Sequence, residues 1–309
     1  KRSPIRREVF RHIQSDSMDP GEWIAGLTTV ERTALREIVE EILRHFRGGN
    51  QARVRHIARE LGLEAQAHRE FETGKRHKQL HALSWFWLLE SRVDPDRLIE
   101  LSRGDSDTEA AATRVLLAGD YERTTERAID LLLARGQSLS VMGMEALYDI
   151  QNDDPTSLFR YIAGGTTDCS RSLLIQLLEV ISHAEPVGSA VSLDWIIAGT
   201  THESADVRVA AFDALSDYGW RDDVRAGVDW ERALADESSE VRQVVYRLLG
   251  SWDDWASSVA IASLPDDPDD RARVAGIESL FGHVDPDDLA ASAEIQQAID
   301  WVARKKAVG

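Results

Sequence analysis

Apolar residues recur at three- and four-residue steps along most of the chain, with charged residues between them. This spacing predicts amphipathic helices, because it places the apolar side chains on one side of a helix. The first clear helix is expected at residues 28–46, where two glycines follow it. A shorter helix is expected at 51–61, and a polar segment then continues to residue 75.

From residue 75 onward, seven nine-residue segments align with one another: 75–83, 109–117, 139–147, 170–178, 207–215, 241–249 and 272–280. Their starts are 30 to 37 residues apart. The ninth position is leucine in all seven segments, the second is arginine in five, and the sixth is apolar in six. A period of this length predicts a two-helix unit that buries its apolar face against neighbouring units.

Turn signals and a second helix lie between these segments. Second helices are expected at 97–102, 157–163, 195–198, 230–234 and 255–264. Three turns carry an aspartate that can cap a helix, followed by a proline that fits the first helical turn. They are Asp94-Pro95, Asp154-Pro155 and Asp285-Pro286.

The two clearest segments, within 206–215 and 240–249, begin with Asp or Glu, then Val-Arg, and end in leucine. This string, after a short helix and an acidic turn, resembles the HEAT repeat over about residues 75–305. The resemblance is strongest at 203–282 and weakest at 109–150, where Ala110 and Ser140 occupy the arginine position. It implies an all-α fold, a right-handed α-solenoid of about seven two-helix repeats. We therefore expect an N-terminal helical block at 1–74 and an acidic repeat solenoid at 75–309.

Charge is distributed unevenly along the chain, whose net charge is −18. Residues 1–100 carry 18 basic and 16 acidic side chains, whereas residues 101–309 carry 18 basic and 38 acidic ones. Such an acidic surface repels phosphate backbones, so we expect no nucleic-acid partner. With only five lysines, the composition resembles that of halophilic proteins. The alternative is that the acidic surface recognises a partner.

The sequence gives less direct information about the cellular location of the protein. No apolar run approaches the roughly 20 residues that cross a bilayer, so we expect a cytoplasmic protein. The opening Lys-Arg-Ser-Pro-Ile-Arg-Arg is basic, as are segments on the cytoplasmic side of membrane spans. One alternative is therefore a membrane span before Lys1 and a position at the inner face of the membrane. The other is an exposed basic start to an ordinary helix.

Candidate chemistry is sparse, and we expect no catalytic residue, no cofactor and no bound metal. His77 and His81 are four residues apart, which places both imidazoles on one helix face, and His68 with Glu72 repeats this spacing. A zinc site needs further ligands that the neighbouring sequence does not supply. Solvent- or partner-facing histidines are the preferred interpretation.

Two further groups of residues are expected to have mainly structural roles. The carboxylates at 266–270 and 285–288 are expected to cap helices rather than bind calcium. Most of the nine tryptophans are expected to pack in the core. Trp252 and Trp255 flank a turn, where one indole is expected to be exposed enough to anchor a partner.

In HEAT proteins the helix with the Val-Arg string lines the concave surface, and the resemblance implies the same here. The third and seventh positions, opposite the sixth and ninth, should then face a groove. The repeated arginine is expected to be structural: with the acidic residue two positions earlier, Asp206 before Arg208 and Glu240 before Arg242, it can form a ladder of ion pairs along the stack. The groove positions are His77, His81, Ala111, Val115, Val141, Glu145, Ser172, Gln176, Val209, Asp213, Gln243, Arg247, Val274 and Glu278.

The predicted function is a non-catalytic protein–protein interaction scaffold that binds a partner in this groove. The alternatives are the cytoplasmic domain of a membrane-anchored assembly and an enzyme with an unrecognised site.

Overall fold

The computed structural model describes residues 2–14, 19–45, 50–119, 124–163, 169–252, 258, 260, 262–280 and 293–308. All regular elements in these ranges are helices, which confirms the predicted all-α class. The chain forms two compact units, residues 1–134 with 140–146 and residues 135–139 with 147–309. Within the described ranges, no helix is both long and apolar enough to cross a membrane.

Nine helices in the described ranges belong wholly to the first unit. Their order is α1 (Arg2–Gln14), α2 (Pro20–Ala25), α3 (Thr29–His45), α4 (Gln51–Glu60), α5 (Leu63–Thr73), α6 (Arg76–Leu89), α7 (Pro95–Ser102), α8 (Ser106–Ala118) and α9 (Thr124–Leu133). The helices predicted at 28–46 and 51–61 correspond to α3 and α4. Helix α5 packs on α6, and α6 packs on α8.

The segment between α4 and Lys75, which the sequence marked only as a polar part of the helical N-terminal block, forms the helix α5. Gly62 separates α4 from α5 with a left-handed φ of 73°, a conformation that costs glycine little. Leu63, Ala67 and Phe71 follow at four-residue steps and are all buried. The sequence did not single out this helix because its apolar stripe is narrow and the charged residues between its members dominate the composition.

Ten helices complete the described chain, and α10 spans the boundary between the units. They are α10 (Val141–Asp153), α11 (Ser157–Ala163), α12 (Arg171–Ser182), α13 (Asp194–Gly199), α14 (Ala205–Ala214), α15 (Asp222–Gly227), α16 (Trp230–Leu234), α17 (Ser239–Ser251), α18 (Asp270–Leu280) and α19 (Ala293–Val308). In the second unit α12, α14, α17, α18 and α19 each pack against the next helix in this series.

The seven aligned segments fall on seven different helices, which we call the motif helices. They are α6, α8, α10, α12, α14, α17 and α18. In α14, α17 and α18 the sixth and ninth positions are almost completely buried, as the sequence predicted. These side chains are Phe212, Leu215, Tyr246, Leu249, Ile277 and Leu280.

The second helices also match where they are described, at α7, α11, α13 and α16. Asp94 caps α7, because its Oδ1 accepts the backbone N–H groups of Asp96 and Arg97 at 2.9 and 3.1 Å. The predicted start at Asp285 and half of the predicted helix 255–264 lie outside the described residues.

Helices α17 and α18 approach closely because two glycines lie between them. A Cβ at Gly276 would lie 2.4 Å from Cδ1 of Leu264, and a Cβ at Gly250 would lie 2.2 Å from Oγ of Ser279. A larger residue at Gly250 would push α17 and α18 apart, whereas one at Gly276 would first displace Leu264 in the turn before α18.

Candidate functional site

Two buried arginines tie three helices of the second unit together. Arg208 on α14 donates to both carboxylate oxygens of Asp236, at 2.8 and 2.7 Å. Arg242 on α17 makes the same bidentate pair with Asp267, at 2.8 and 3.0 Å. Each aspartate lies in the turn before the next motif helix, so each arginine joins one helix to the start of the next.

Backbone carbonyls extend this arrangement. The carboxylate of Asp236 accepts from Arg208, while its carbonyl oxygen accepts from Nη1 of Arg242 at 2.6 Å. The carbonyl of Asp267 likewise accepts from Arg273 on α18. Each aspartate is shared by two consecutive arginines, which fixes α14, α17 and α18 relative to one another.

This pairing corrects the partners expected from the sequence. Asp206 and Glu240, two residues before the arginines, are exposed and form no ion pair with Arg208 or Arg242. Residues two apart on a helix project from different sides, so such a pair cannot close. The arginines are instead only 6% exposed and reach forward to the following turn.

The electrostatics of Asp267 follow from this environment. Burial by itself would raise the pKa of the Asp267 carboxyl. Hydrogen bonds from the Arg242 guanidinium and from the backbone N–H of Asp269 outweigh that effect and hold the pKa of Asp267 below its usual range. The carboxylate is therefore stabilised in its charged form, although only 1% of its side chain is exposed.

Six predicted groove positions lie together in the second unit, on the three helices that the arginines join. All six are half-buried or exposed, in contrast to the buried sixth and ninth positions of the same helices. They are Val209 and Asp213 on α14, Gln243 and Arg247 on α17, and Val274 and Glu278 on α18. They line two surface cavities.

The first, which we call the acidic cavity, has a volume of about 310 Å³ and lies along α12 and α14. Its apolar lining includes Ile175 and Val209, and its rim carries four carboxylates and His183. Burial raises the pKa of Asp213, an effect that Arg247 and His183 partly offset. The four carboxylates belong to Glu179, Asp206, Asp213 and Glu240.

The second, which we call the arginine cavity, has a volume of about 530 Å³ and lies between α17, α18 and α19. Val274, Ala275 and the indole of Trp301 form its apolar part, and the Trp301 residue is 47% exposed. The polar residues around it are Gln243, Arg247, Asp270, Arg271 and Glu278.

The two positions on α12 do not line either cavity. Ser172 is exposed. Gln176 has a structural role: its amide oxygen accepts the N–H of Leu139 at 2.7 Å, and its amide nitrogen donates to the carbonyl of Leu139 at 3.1 Å. This corrects the expectation for Gln176, because both ends of its side chain already bind the segment before α10.

The groove positions of the first unit are placed differently from one another. Val115 on α8 is only 2% exposed, which corrects its assignment to an open groove. Val141 on α10 is 80% exposed. Glu145 is also exposed and lies 3.6 Å from Nη1 of Arg114. Ala111 is half-buried.

His77 and His81 on α6 have different environments. His77 is exposed. Nδ1 of His81 lies 2.9 Å from Oε2 of Glu70, and its Nε2 lies 3.2 Å from Nε1 of Trp85 and 3.3 Å from Nη2 of Arg36. Because Trp85 and Arg36 can only donate, Nε2 must be unprotonated and Nδ1 must donate to Glu70.

This network occupies both ring nitrogens of His81. Within the described ranges, no group of three or more His, Cys, Asp or Glu side chains could hold an ion. Glu72 forms an ion pair with Arg97 at 2.7 Å, and His68 packs on Phe86.

The expectation that Trp252 or Trp255 is exposed is tested only at Trp252. Trp252 is half-buried, and its indole N–H donates to the carbonyl of Ser216 at 2.8 Å. Trp255 lies outside the described residues. Trp220 and Trp301 are instead 57% and 47% exposed. The sequence contained no signal for Trp301, because its place beside the arginine cavity depends on how α19 packs against α18.

None of the protein-family models matches this chain, and no curated protein is significantly similar to it.

Proposed function

We propose that this chain is a non-catalytic, HEAT-like helical-repeat scaffold whose second unit binds a protein segment along α14, α17 and α18. One observation carries the proposal: the third and seventh positions of three successive motif helices line two surface cavities, while the sixth and ninth form the core. An apolar floor with a charged rim is the usual composition of a protein interface.

The proposal of seven stacked repeats extends the same regularity. The buried arginines of α14 and α17 each bind the turn before the next motif helix. In the first unit, Arg76 on α6 lies 2.7 Å from Asp105, which caps the next motif helix α8. A recurring contact between neighbouring units is typical of helical-repeat proteins.

We favour this function over a membrane-proximal one because part of the basic N-terminal segment is already neutralised. Arg6 forms an ion pair with Glu41 at 3.3 Å, and Arg11 forms one with Glu8 at 2.8 Å. Attraction to anionic lipid scales with the number of uncompensated basic residues, so these pairs weaken it.

The test is a double substitution, Val209→Glu with Val274→Glu, which places a carboxylate in each cavity. Each lost apolar contact costs about 1–2 kcal/mol and each new charge adds a desolvation penalty, so affinity for a bound protein should fall about tenfold or more. The matched control is Ala198→Glu with Ala226→Glu, which adds the same charge at exposed positions on α13 and α15.

The measurement is a quantitative pull-down from native lysate with the unsubstituted protein, the cavity variant and the control. The proposal is supported if some proteins are recovered by the unsubstituted protein and by the control but not by the cavity variant. Recovery of the same proteins in the same amounts by all three would exclude this face as the binding surface. The melting temperature of each variant shows whether folding is intact.

A further inference from the structure

The arginine cavity presents two arginines that make no direct ion pair with the described residues, although Arg247 lies near enough to Asp213 to offset part of the rise in the pKa of that carboxyl. Its two carboxylates are occupied: Glu278 binds Nζ of Lys305 at 2.6 Å, and Asp270 binds Arg273. Arg247 and Arg271 are exposed, and neither forms an ion pair within 4.0 Å with the described part of the chain. Two guanidinium groups therefore remain available for a ligand.

The neighbouring acidic cavity has the opposite character. Its four rim carboxylates form no ion pair within 4.0 Å with any described residue. The two cavities lie on neighbouring helices of one unit, so the charge changes from the carboxylates of the acidic cavity to the arginines of the arginine cavity. Residues 101–309 together carry 18 basic and 38 acidic side chains, which makes the free arginines an exception to their surroundings.

Apolar surface lies directly beside these arginines. Val274 and Ala275 are half-buried, and the indole of Trp301 is exposed on the same cavity. The Nζ of Lys305 lies 5.1 Å from the centre of the Trp301 ring, which helps to hold the indole in place. Tryptophan and arginine are the residue types that most often dominate binding at protein interfaces.

We propose that the arginine cavity binds a partner segment in which aspartate or glutamate lies beside a large apolar side chain. The carboxylates pair with Arg247 and Arg271, because guanidinium groups bind carboxylates with strong, charge-assisted hydrogen bonds. The apolar side chain packs on Val274, Ala275 and Trp301. The inference rests on the proposed function and specifies the chemistry of the partner segment at the arginine cavity.

The charge reversal also sets the direction of the segment. Its acidic residues are attracted to Arg247 and Arg271 and repelled by the rim carboxylates of the acidic cavity, including Asp206 and Glu240. An acidic segment that bound in the opposite direction would place like charges together.

The test is selection of a displayed library of short randomised peptides on the full chain at physiological ionic strength, where the Debye length is about 8 Å. The charge-reversal variant is Arg247→Glu with Arg271→Glu. The control is Arg171→Glu with Arg232→Glu, two exposed arginines of the same unit that line neither cavity. Both variants change the net charge equally.

We expect peptides selected on the unsubstituted chain and on the control to combine Asp or Glu with Leu, Phe or Trp. Their affinity should fall about tenfold or more on the charge-reversal variant. Peptides with lysine in place of the acidic residues should regain binding to that variant, which shows that it is folded.

Selection of neutral or basic peptides, of no peptide, or of acidic peptides that bind the charge-reversal variant equally well would overturn the inference. The Val209→Glu, Val274→Glu variant distinguishes failure of this inference from failure of the proposed function. Peptides that are not acidic but lose binding to that variant would overturn only the inference. If no selected peptide depends on Val209 or Val274, the proposed function fails as well.

Discussion

Arg242 and Asp267 lie 25 residues apart in the sequence and form a buried, bidentate ion pair, with N–O distances of 2.8 and 3.0 Å. The pair joins α17 to the turn before α18. Arg208 and Asp236 repeat it one helix earlier. These two contacts hold in place the helices that carry both cavities.

Removing Arg242 should destabilise the second unit strongly. Arg242→Met leaves the Asp267 carboxylate buried without its partner, which costs about 3–5 kcal/mol. Arg171 occupies the same motif position on α12 but is exposed, so Arg171→Met should change stability by no more than about 0.5 kcal/mol. Urea unfolding of both variants measures the difference, and equal midpoints would contradict a stabilising ion pair.

A second substitution distinguishes the cost of the unpaired Asp267 carboxylate from the cost of the lost Arg242 packing. Asp267→Leu in the Arg242→Met background removes the unpaired carboxylate, so part of the lost stability should return. No recovery in the double variant would indicate that the lost packing of Arg242, not the stranded charge, causes the destabilisation.

Stability should depend on the protonation of Asp267. Because the folded-state pKa of Asp267 lies below its usual value, its contribution is complete above the unfolded pKa of about 3.9 and is lost as the pH falls through the folded pKa. The free energy of unfolding should therefore decline below about pH 4. In Asp267→Asn this decline should be shallower. A parallel decline in both proteins would assign the acid sensitivity to other carboxylates.

The two histidines of α6 should differ in their effect on the first unit. His81→Ala removes the acceptor for the indole N–H of the buried Trp85 and the donor to Glu70, at a cost of about 1–3 kcal/mol. His77→Ala, at an exposed position, should cost no more than about 0.5 kcal/mol. Thermal unfolding followed by tryptophan fluorescence compares them. A similar loss in both variants would argue against the network.

Substitutions at Val115 and Val141 test which predicted groove positions of the first unit are exposed. Val115→Glu introduces a carboxylate at a position that is 2% exposed and should destabilise the unit by more than about 3 kcal/mol. Val141→Glu, at a position that is 80% exposed, should leave stability within about 0.5 kcal/mol. Circular dichroism melts measure both. A folded, unperturbed Val115→Glu protein would restore Val115 to the groove.

The acidic composition predicts a dependence on salt. If repulsion among the 38 acidic side chains of residues 101–309 destabilises the fold, screening should raise the melting temperature as potassium chloride increases. The Debye length falls from about 10 Å at 0.1 M to about 3 Å at 1 M, so most of the rise should occur in this range. A constant melting temperature would favour the interpretation of the acidic surface as a recognition feature.

The sequence by itself predicted the features that depend on local periodicity. The spacing of apolar residues located α3, α4 and the motif helices, and the capping aspartate with its proline located the start of α7. The burial of the sixth and ninth positions in α14, α17 and α18 was also predicted. These features were predictable because a helix places residues three and four apart on one side.

Only the tertiary structure decided which distant residues meet. Arg208 and Arg242 bind aspartates 28 and 25 residues later rather than the acidic residues two positions earlier. Val115 is buried, Gln176 binds Leu139, and Trp301 completes the arginine cavity. The physical reason is that a helix face is exposed or covered according to which neighbour packs on it, and that neighbour is brought there by the cooperative packing of several helices.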